Sequence, residues 1–131
     1  MKRIRIAALL LCLTGAGGCS TYESIHIDEN KTTVTFDQDY AAVYRLIVRG
    51  QQRCGQVGIW NTAIFPDVKE AQITWSIPQG VRADAVMLTV DIKEIGPIKT
   101  RMDVYPATEM MRKGTVDRLQ SWVDGKTDCP T

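Results

Sequence analysis

Apolar and polar residues alternate in four runs along the middle of the chain, and this period predicts four β-strands. The turn residues that separate the runs are Pro66-Asp67, Pro78-Gln79-Gly80 and Gly96-Pro97. The residues expected to face the core are Val57, Ile59, Ala63 and Phe65, then Ala71, Ile73, Trp75 and Ile77, then Val86, Leu88, Val90 and Ile92, then Thr100, Met102 and Val104. Because the positions between them are mostly polar, the runs predict an antiparallel meander with one buried face.

Two other segments repeat apolar residues every three or four positions and predict amphipathic helices. The first follows Asp37 as its cap and ends at Gly55, and the second runs from Thr108 to Asp124. The apolar stripes are Tyr40, Val43, Tyr44, Ile47, Gln51 and Cys54 in the first helix, and Met111, Val116, Leu119 and Val123 in the second.

A further strand is predicted over residues 32–36, and the alternation at Ile25 and Ile27 predicts an edge strand or hairpin before it. The elements together predict an α+β fold with two layers in the order β-α-β-β-β-β-α. In this prediction the sheet is an antiparallel meander, and both helices pack on one of its faces.

The first 18 residues have the parts of an export signal: a basic start, a short apolar run from Ile6 to Leu13, and small residues up to Gly18. The apolar run is too short to span a bilayer. Cys19 follows at once, and this arrangement resembles a bacterial lipobox, with Ala16 where that family most often has Leu.

The resemblance implies that the chain is cut before Cys19, which receives a diacylglycerol on its thiol and an acyl group on its amine. An Asp directly after the lipidated cysteine would resemble a retention signal for the inner membrane, and this chain has Ser20 there. We therefore expect the protein to be anchored in the outer membrane and to face the periplasm. We therefore expect a signal peptide over residues 1–18, a lipidated N-terminus and short tether over 19–31, and one α+β domain over 32–131.

The mature chain has 13 basic and 15 acidic residues, because three of the 16 basic residues lie in the signal. This balance disfavours nucleic acid as a partner.

Of the four cysteines, Cys54 and Cys129 remain after Cys12 and Cys19 are assigned to the signal and the lipid. In an oxidising compartment these two predict a disulfide worth about 4 kcal/mol, and reactive thiols are the disfavoured alternative.

Few residues are arranged for catalysis, so we expect no enzyme, no catalytic residue, no metal and no cofactor. The single histidine, His26, lies near the tether, where a solvated side chain is expected. Asp91 and Asp103 can approach across neighbouring strands, although ion pairs with Lys99 and Arg101 are the favoured outcome. A pocket that gathers both carboxylates with Tyr105 and strongly shifts their pKa values would favour an enzyme instead.

Two surfaces are candidates for binding. Arg45, Arg49 and Arg53 recur every four residues and form a basic ridge that either contacts phosphates or carboxylates or is simply solvated. Trp60 either lies on the polar sheet face as a contact platform or is buried by a bulge at Asn61.

The signal, Cys19, the helix that ends at Cys54, the segment Asp91-Ile92-Lys93 and the terminal Cys129 together resemble small uncharacterised lipoproteins of Gram-negative bacteria. The leading hypothesis is a non-enzymatic lipoprotein that is held in the outer membrane by its lipid and contacts an envelope protein or cell-wall component. The alternative is a periplasmic carrier that holds a lipid or other apolar ligand between sheet and helices.

Overall fold

The structure is a computed structural model that describes residues 21–129, so the predicted signal peptide and Cys19 lie outside the described residues. It contains α1 (Tyr22–Ile25), a 3-10 helix (Asp28–Asn30), β1 (Thr32–Phe36), α2 (Tyr40–Cys54), β2 (Ile59–Phe65), β3 (Glu70–Gln79), β4 (Arg82–Gly96), β5 (Lys99–Pro106) and α3 (Glu109–Val123). The predicted α+β class and the antiparallel sheet are confirmed.

The five strands form one sheet in the order β1-β5-β4-β3-β2, and every neighbouring pair is antiparallel. The strands from β2 to β5 therefore form a meander, and β1 adds to its far edge beside β5. Between β3 and β4 the register shifts after Trp75, which lies opposite Leu88, whereas Ser76 lies opposite Val86. This bulge leaves Met87 without a partner in the register.

Apolar residues of the inner sheet face and of α2 and α3 form one core. The core members are Phe36, Val43, Ile47, Ala71, Ile73, Leu88, Val90, Ile92, Met102, Val104, Val116, Leu119, Trp122 and Val123. Most of these positions were predicted from the alternation of the strands and the stripes of the helices. The cap of α2 was misplaced by two residues, because Asp39 rather than Asp37 accepts the backbone N–H of Ala42 at 2.9 Å.

The strand or hairpin predicted around Ile25 and Ile27 is instead α1 and the 3-10 turn. Thr21 and Ser24 form a reciprocal capping box in which each side chain accepts the other residue's backbone N–H. This local pairing outweighs an alternation that extends over only two apolar residues. Ile25 is buried and Ile27 is exposed, which fits the helical turn.

The facing of β2 is also the reverse of the prediction. Trp60 lies opposite Trp75, a residue on the inner face, so Ile59, Ala63 and Phe65 point to the outer face. The two indole rings stack with their centroids 6.0 Å apart. A shift of one residue exchanges the two faces of a strand, and in the observed register Trp60 stacks on Trp75 while Ile59 and Phe65 are left exposed.

Candidate functional site

A cluster of polar side chains occupies the outer face of the sheet, where Asp91 of β4 lies directly opposite Asp103 of β5. The imidazole Nε2 of His26 is 2.5 Å from Oδ2 of Asp91, and the amide of Gln72 donates to Oδ1 of the same carboxylate at 3.0 Å. His26 was predicted to be a solvated side chain, and that prediction is wrong. The helical turn of α1 brings the imidazole back over the sheet to Asp91.

The His26 ring lies between two tyrosine rings. Its centroid is 4.8 Å from that of Tyr22 and 4.0 Å from that of Tyr105. Burial raises the pKa of Tyr105 above its usual 10.0, and the negative charge of Asp91 raises it further. Burial and Asp91 likewise raise the pKa of Tyr22. This stack fixes α1 to the sheet.

Asp103 is bound by partners of its own. The hydroxyl of Thr33 donates to Oδ1 at 2.7 Å, and Arg101 Nε donates to Oδ2 at 3.1 Å. A cleft of about 320 Å³ lies beside Asp91, Asp103 and Tyr105, so the structure brings these three residues together. Arg101 and Asp103 both lie on β5, so this ion pair runs along one strand, whereas the sequence predicted ion pairs across neighbouring strands. Asp91 contacts His26 and Gln72 rather than Lys99 or Arg101.

The predicted basic ridge is divided in the structure. Arg53 donates from Nε to the carbonyl of Thr127 and from a terminal nitrogen to the carbonyl of Lys126, each at 3.0 Å. Arg45 and Arg49 are exposed and have no ion pair within residues 21–129. Two of the three guanidinium groups are therefore available at the surface of α2, and the third holds the C-terminal loop.

The predicted disulfide between Cys54 and Cys129 is confirmed. The two Cα atoms are 5.3 Å apart, and the bond joins the end of α2 to the segment that follows α3. The hydrogen bonds from Arg53 to the same segment lie beside it. The covalent and polar contacts together attach the C-terminus to α2.

An apolar cleft of about 260 Å³ lies between the sheet and α3, and we call it the tryptophan cleft. Its lining residues are Gln56, Trp60, Trp75, Leu88, Met110, Met111, Gly114, Thr115, Arg118, Leu119 and Trp122. All three tryptophans of the chain are among them. Trp60 is thus on the inner side of β2, half-buried, and not on the outer face where it was considered as a contact platform.

Three N–H groups of the tryptophan cleft have no acceptor within residues 21–129. They are Nε1 of Trp60, Nε1 of Trp122 and Nε of Arg118, and each atom is buried. A buried donor without an acceptor costs about 1–3 kcal/mol, and native structures contain few of them. The three side chains that carry these donors all line the tryptophan cleft.

Sequence reasoning missed the tryptophan cleft because its residues are distant in the chain. Trp75 was predicted only as a core-facing residue of its strand. Gly114 forms an open part of the wall, since a Cβ added there would meet nothing within 4 Å. The available signal was the combination of this glycine with Met110 and Met111 in one helix.

No protein-family model and no curated protein matches the chain. None of the helices in residues 21–129 is long and apolar enough to cross a bilayer. Over the same residues, no group of three or more His, Cys, Asp or Glu side chains is placed to hold a metal ion.

Proposed function

We propose that this protein is a non-enzymatic interaction module of the bacterial envelope, anchored in the outer membrane through a lipidated Cys19 and facing the periplasm. The export signal and the lipobox-like sequence support the anchor. The proposal takes α2 and α3 as one layer on the inner face of the sheet, because both contribute to one apolar core. With both helices on that face, the outer face of the sheet and its β2 edge remain accessible to a partner.

The observation that carries the proposal is the β2 edge, which we define as strand Ile59–Phe65 with its unpaired side. It pairs only with β3 and lies at the end of the sheet. Residues 54–66 contain no charged side chain, although charged residues are what most proteins place on an edge to prevent association. Ile59 and Ile64 are each 40% exposed and Phe65 is 48% exposed.

An edge of this kind accepts an extended segment of another protein as an additional strand. The backbone N–H and C=O groups of the edge supply hydrogen bonds, and the exposed apolar side chains supply specificity. The strand at the other end, β1, is shorter and has Thr33 and Thr35 as its exposed residues. The β2 edge is therefore the better candidate for contact with an envelope protein.

The non-enzymatic part of the proposal is supported by the polar cluster. Asp91 is held by His26 and Gln72, and Asp103 is held by Thr33 and Arg101. Each carboxylate therefore has partners within the fold, as expected of charges that stabilise a sheet face.

The anchor is tested by mass spectrometry of the N-terminal peptide and by fractionation of the membranes. We expect an acylated Cys19 peptide in the outer-membrane fraction, and we expect Cys19→Ala to release the protein from that fraction. An unmodified Cys19 in a processed wild-type chain, or a wild-type protein in the inner membrane, would contradict this part of the proposal.

The partner surface is tested by a photo-crosslinking amino acid at Asn61, an exposed residue of β2, in intact cells. The matched control carries the same crosslinker at Thr35, an exposed residue of β1. We expect one discrete adduct from position 61 that position 35 does not give. A double Arg45→Ala, Arg49→Ala variant tests the basic ridge in the same assay, and loss of the adduct from position 61 would show that the contact also requires α2.

A carrier is the second candidate, and the tryptophan cleft between sheet and α3 favours it. A carrier retains its ligand through gentle purification, whereas an interaction module retains a protein. Mass spectrometry of organic extracts from the purified lipoprotein distinguishes them. A stoichiometric small molecule beyond the anchor and bulk phospholipid would support the carrier, and its absence would count against it.

A further inference from the structure

We infer that the tryptophan cleft binds a small anionic amphiphile. Its carboxylate or phosphate accepts hydrogen bonds from Arg118 and from the indoles of Trp60 and Trp122, and its apolar part lies against the tryptophan rings. This inference deepens the carrier function proposed as the second candidate and rests on it. The contact with a partner protein through the β2 edge is independent of it.

The donors supply the first argument. Trp122 is only 1% exposed, and its Nε1 is buried with no acceptor within residues 21–129, as is Nε1 of Trp60. The indole of Trp75 has a different arrangement, because its Nε1 donates to the carbonyl of Val57 at 2.9 Å. Two of the three indoles that line the cleft thus carry a donor without an acceptor among the described residues.

Charge supplies the second argument. Arg118 is the one charged residue among those that line the tryptophan cleft, and no carboxylate lies there. Its Nε is buried without an acceptor. A guanidinium group binds carboxylate and phosphate oxygens through charge-assisted hydrogen bonds, which are stronger than neutral ones. The charge of the lining therefore complements an anion.

Size and polarity supply the third argument. The volume of about 260 Å³ is slightly below the range of drug-sized ligand sites, so the ligand is small or inserts only one end. Apart from Arg118, the polar side chains of the lining are Gln56 and Thr115, and the remaining area is aromatic or aliphatic. A short chain with one anionic end fits both properties.

The test uses the full lipidated chain in phosphatidylcholine nanodiscs and four probes with the same eight-carbon chain. Octanoate and octyl phosphate carry the anionic heads, and they distinguish a carboxylate ligand from a phosphate ligand. Octan-1-ol is neutral and octylammonium is cationic. Binding is followed by intrinsic fluorescence, since all three tryptophans line the cleft, and by the indole resonances in 15N-labelled protein. Empty nanodiscs correct for partition into lipid.

We expect saturable binding of at least one anionic probe, with the N–H resonances of Trp60 and Trp122 shifted downfield and that of Trp75 less affected. Arg118→Gln removes the charge and is expected to weaken binding about 10-fold or more. Lys99→Gln, which removes one positive charge from an exposed residue at the start of β5, is the control and is expected to leave binding unchanged. Gly114→Leu is expected to block the cleft, because the space above Gly114 is open.

Equal binding of octan-1-ol or octylammonium would overturn the inference, because the cleft would then not recognise an anion. Absence of saturable binding of both anionic probes, or unchanged indole resonances, would overturn it as well. Neither result would alter the adduct expected from Asn61 in cells, so failure of this inference is distinguishable from failure of the interaction module. Cooperative thermal unfolding followed by circular dichroism shows that each variant tested is folded.

Discussion

Gly50 of α2 lies directly against the indole of Trp122 in α3. A Cβ added at Gly50 would overlap the ring atoms Cγ and Cδ2 of Trp122, whose ring is buried in the core. The absence of a side chain at this position allows α2 and α3 to approach closely. One glycine therefore determines where the largest side chain of the core is placed, and with it one wall of the tryptophan cleft.

We expect Gly50→Ala to lower the free energy of unfolding by about 1–3 kcal/mol, as overpacking of a core does. Glycine in a helix interior costs about 0.5–1 kcal/mol relative to alanine, so propensity alone predicts the opposite sign. Chemical denaturation followed by circular dichroism measures the change. A stabilised Gly50→Ala variant would show that the two helices separate without cost.

Gly114→Ala is the matched substitution in α3, and we expect it to raise the free energy of unfolding by about 0.5–1 kcal/mol. The added methyl group meets nothing within 4 Å, so only the gain in helix propensity remains. The same denaturation experiment measures it. Destabilisation by Gly114→Ala would indicate that other side chains pack against this part of the cleft wall.

The disulfide should contribute strongly to stability, because it closes a separation of 75 residues between Cys54 and Cys129. We expect a double Cys54→Ser, Cys129→Ser variant to lose about 4 kcal/mol on the loop-entropy model. Denaturation of the wild type with and without reductant gives an independent value. A loss below about 1 kcal/mol would show that the hydrogen bonds of Arg53 already hold the C-terminal segment.

The contact between His26 and Asp91 should hold α1 on the sheet. We expect His26→Ala to increase hydrogen exchange at the backbone amides of α1, while the amides of β4 and β5 keep their protection. His26→Phe retains an aromatic ring between Tyr22 and Tyr105 but removes the nitrogen that contacts Asp91. Its exchange should lie between that of the wild type and that of His26→Ala. Unchanged exchange in both variants would contradict the attachment.

The two tyrosines of the stack predict lower stability in alkali. Burial raises the pKa of Tyr22 and Tyr105 above 10.0 in the folded state, so the folded state binds these protons more tightly than the unfolded state. The resulting stabilisation is complete below about pH 10 and is lost as the pH rises through the folded pKa values. Melting temperatures between pH 8 and 11 should therefore fall, and Tyr105→Phe should reduce the slope. An equal slope in the variant would exclude Tyr105 as a cause.

The fold was largely predictable because its strands alternate strictly and its helices have clear apolar stripes. Val90, Ile92, Met102 and Val104 reached the core for this reason, and Gly55 ends α2 in a left-handed conformation as its residue type predicted. The facing of β2 was not predictable from its own residues. Apolar side chains lie on both sides of that strand. The stacking of Trp60 on Trp75, a residue of β3, determines which side faces the core.

The candidate sites depend on contacts that are distant in the sequence, so the pattern alone did not reveal them. The role of His26 requires the short helix to turn it toward Asp91, which lies 65 residues later. Arg53 does not belong to the exposed basic ridge, because the disulfide holds the carbonyls of Lys126 and Thr127 within hydrogen-bond distance of its guanidinium group. In both cases a polar side chain contacts a partner that local periodicity does not predict.

The interaction module is tested most directly by crosslinking from Asn61 in cells that produce the wild type, Ile64→Lys or Ile98→Lys. Ile64 is an exposed residue of the β2 edge, and Ile98 is an exposed isoleucine in the turn between β4 and β5. We predict one discrete adduct that is lost in Ile64→Lys, because a charge on an edge strand opposes pairing, and that is retained in Ile98→Lys. Absence of any adduct in the wild type, or an adduct that Ile64→Lys leaves intact, would contradict the proposed function.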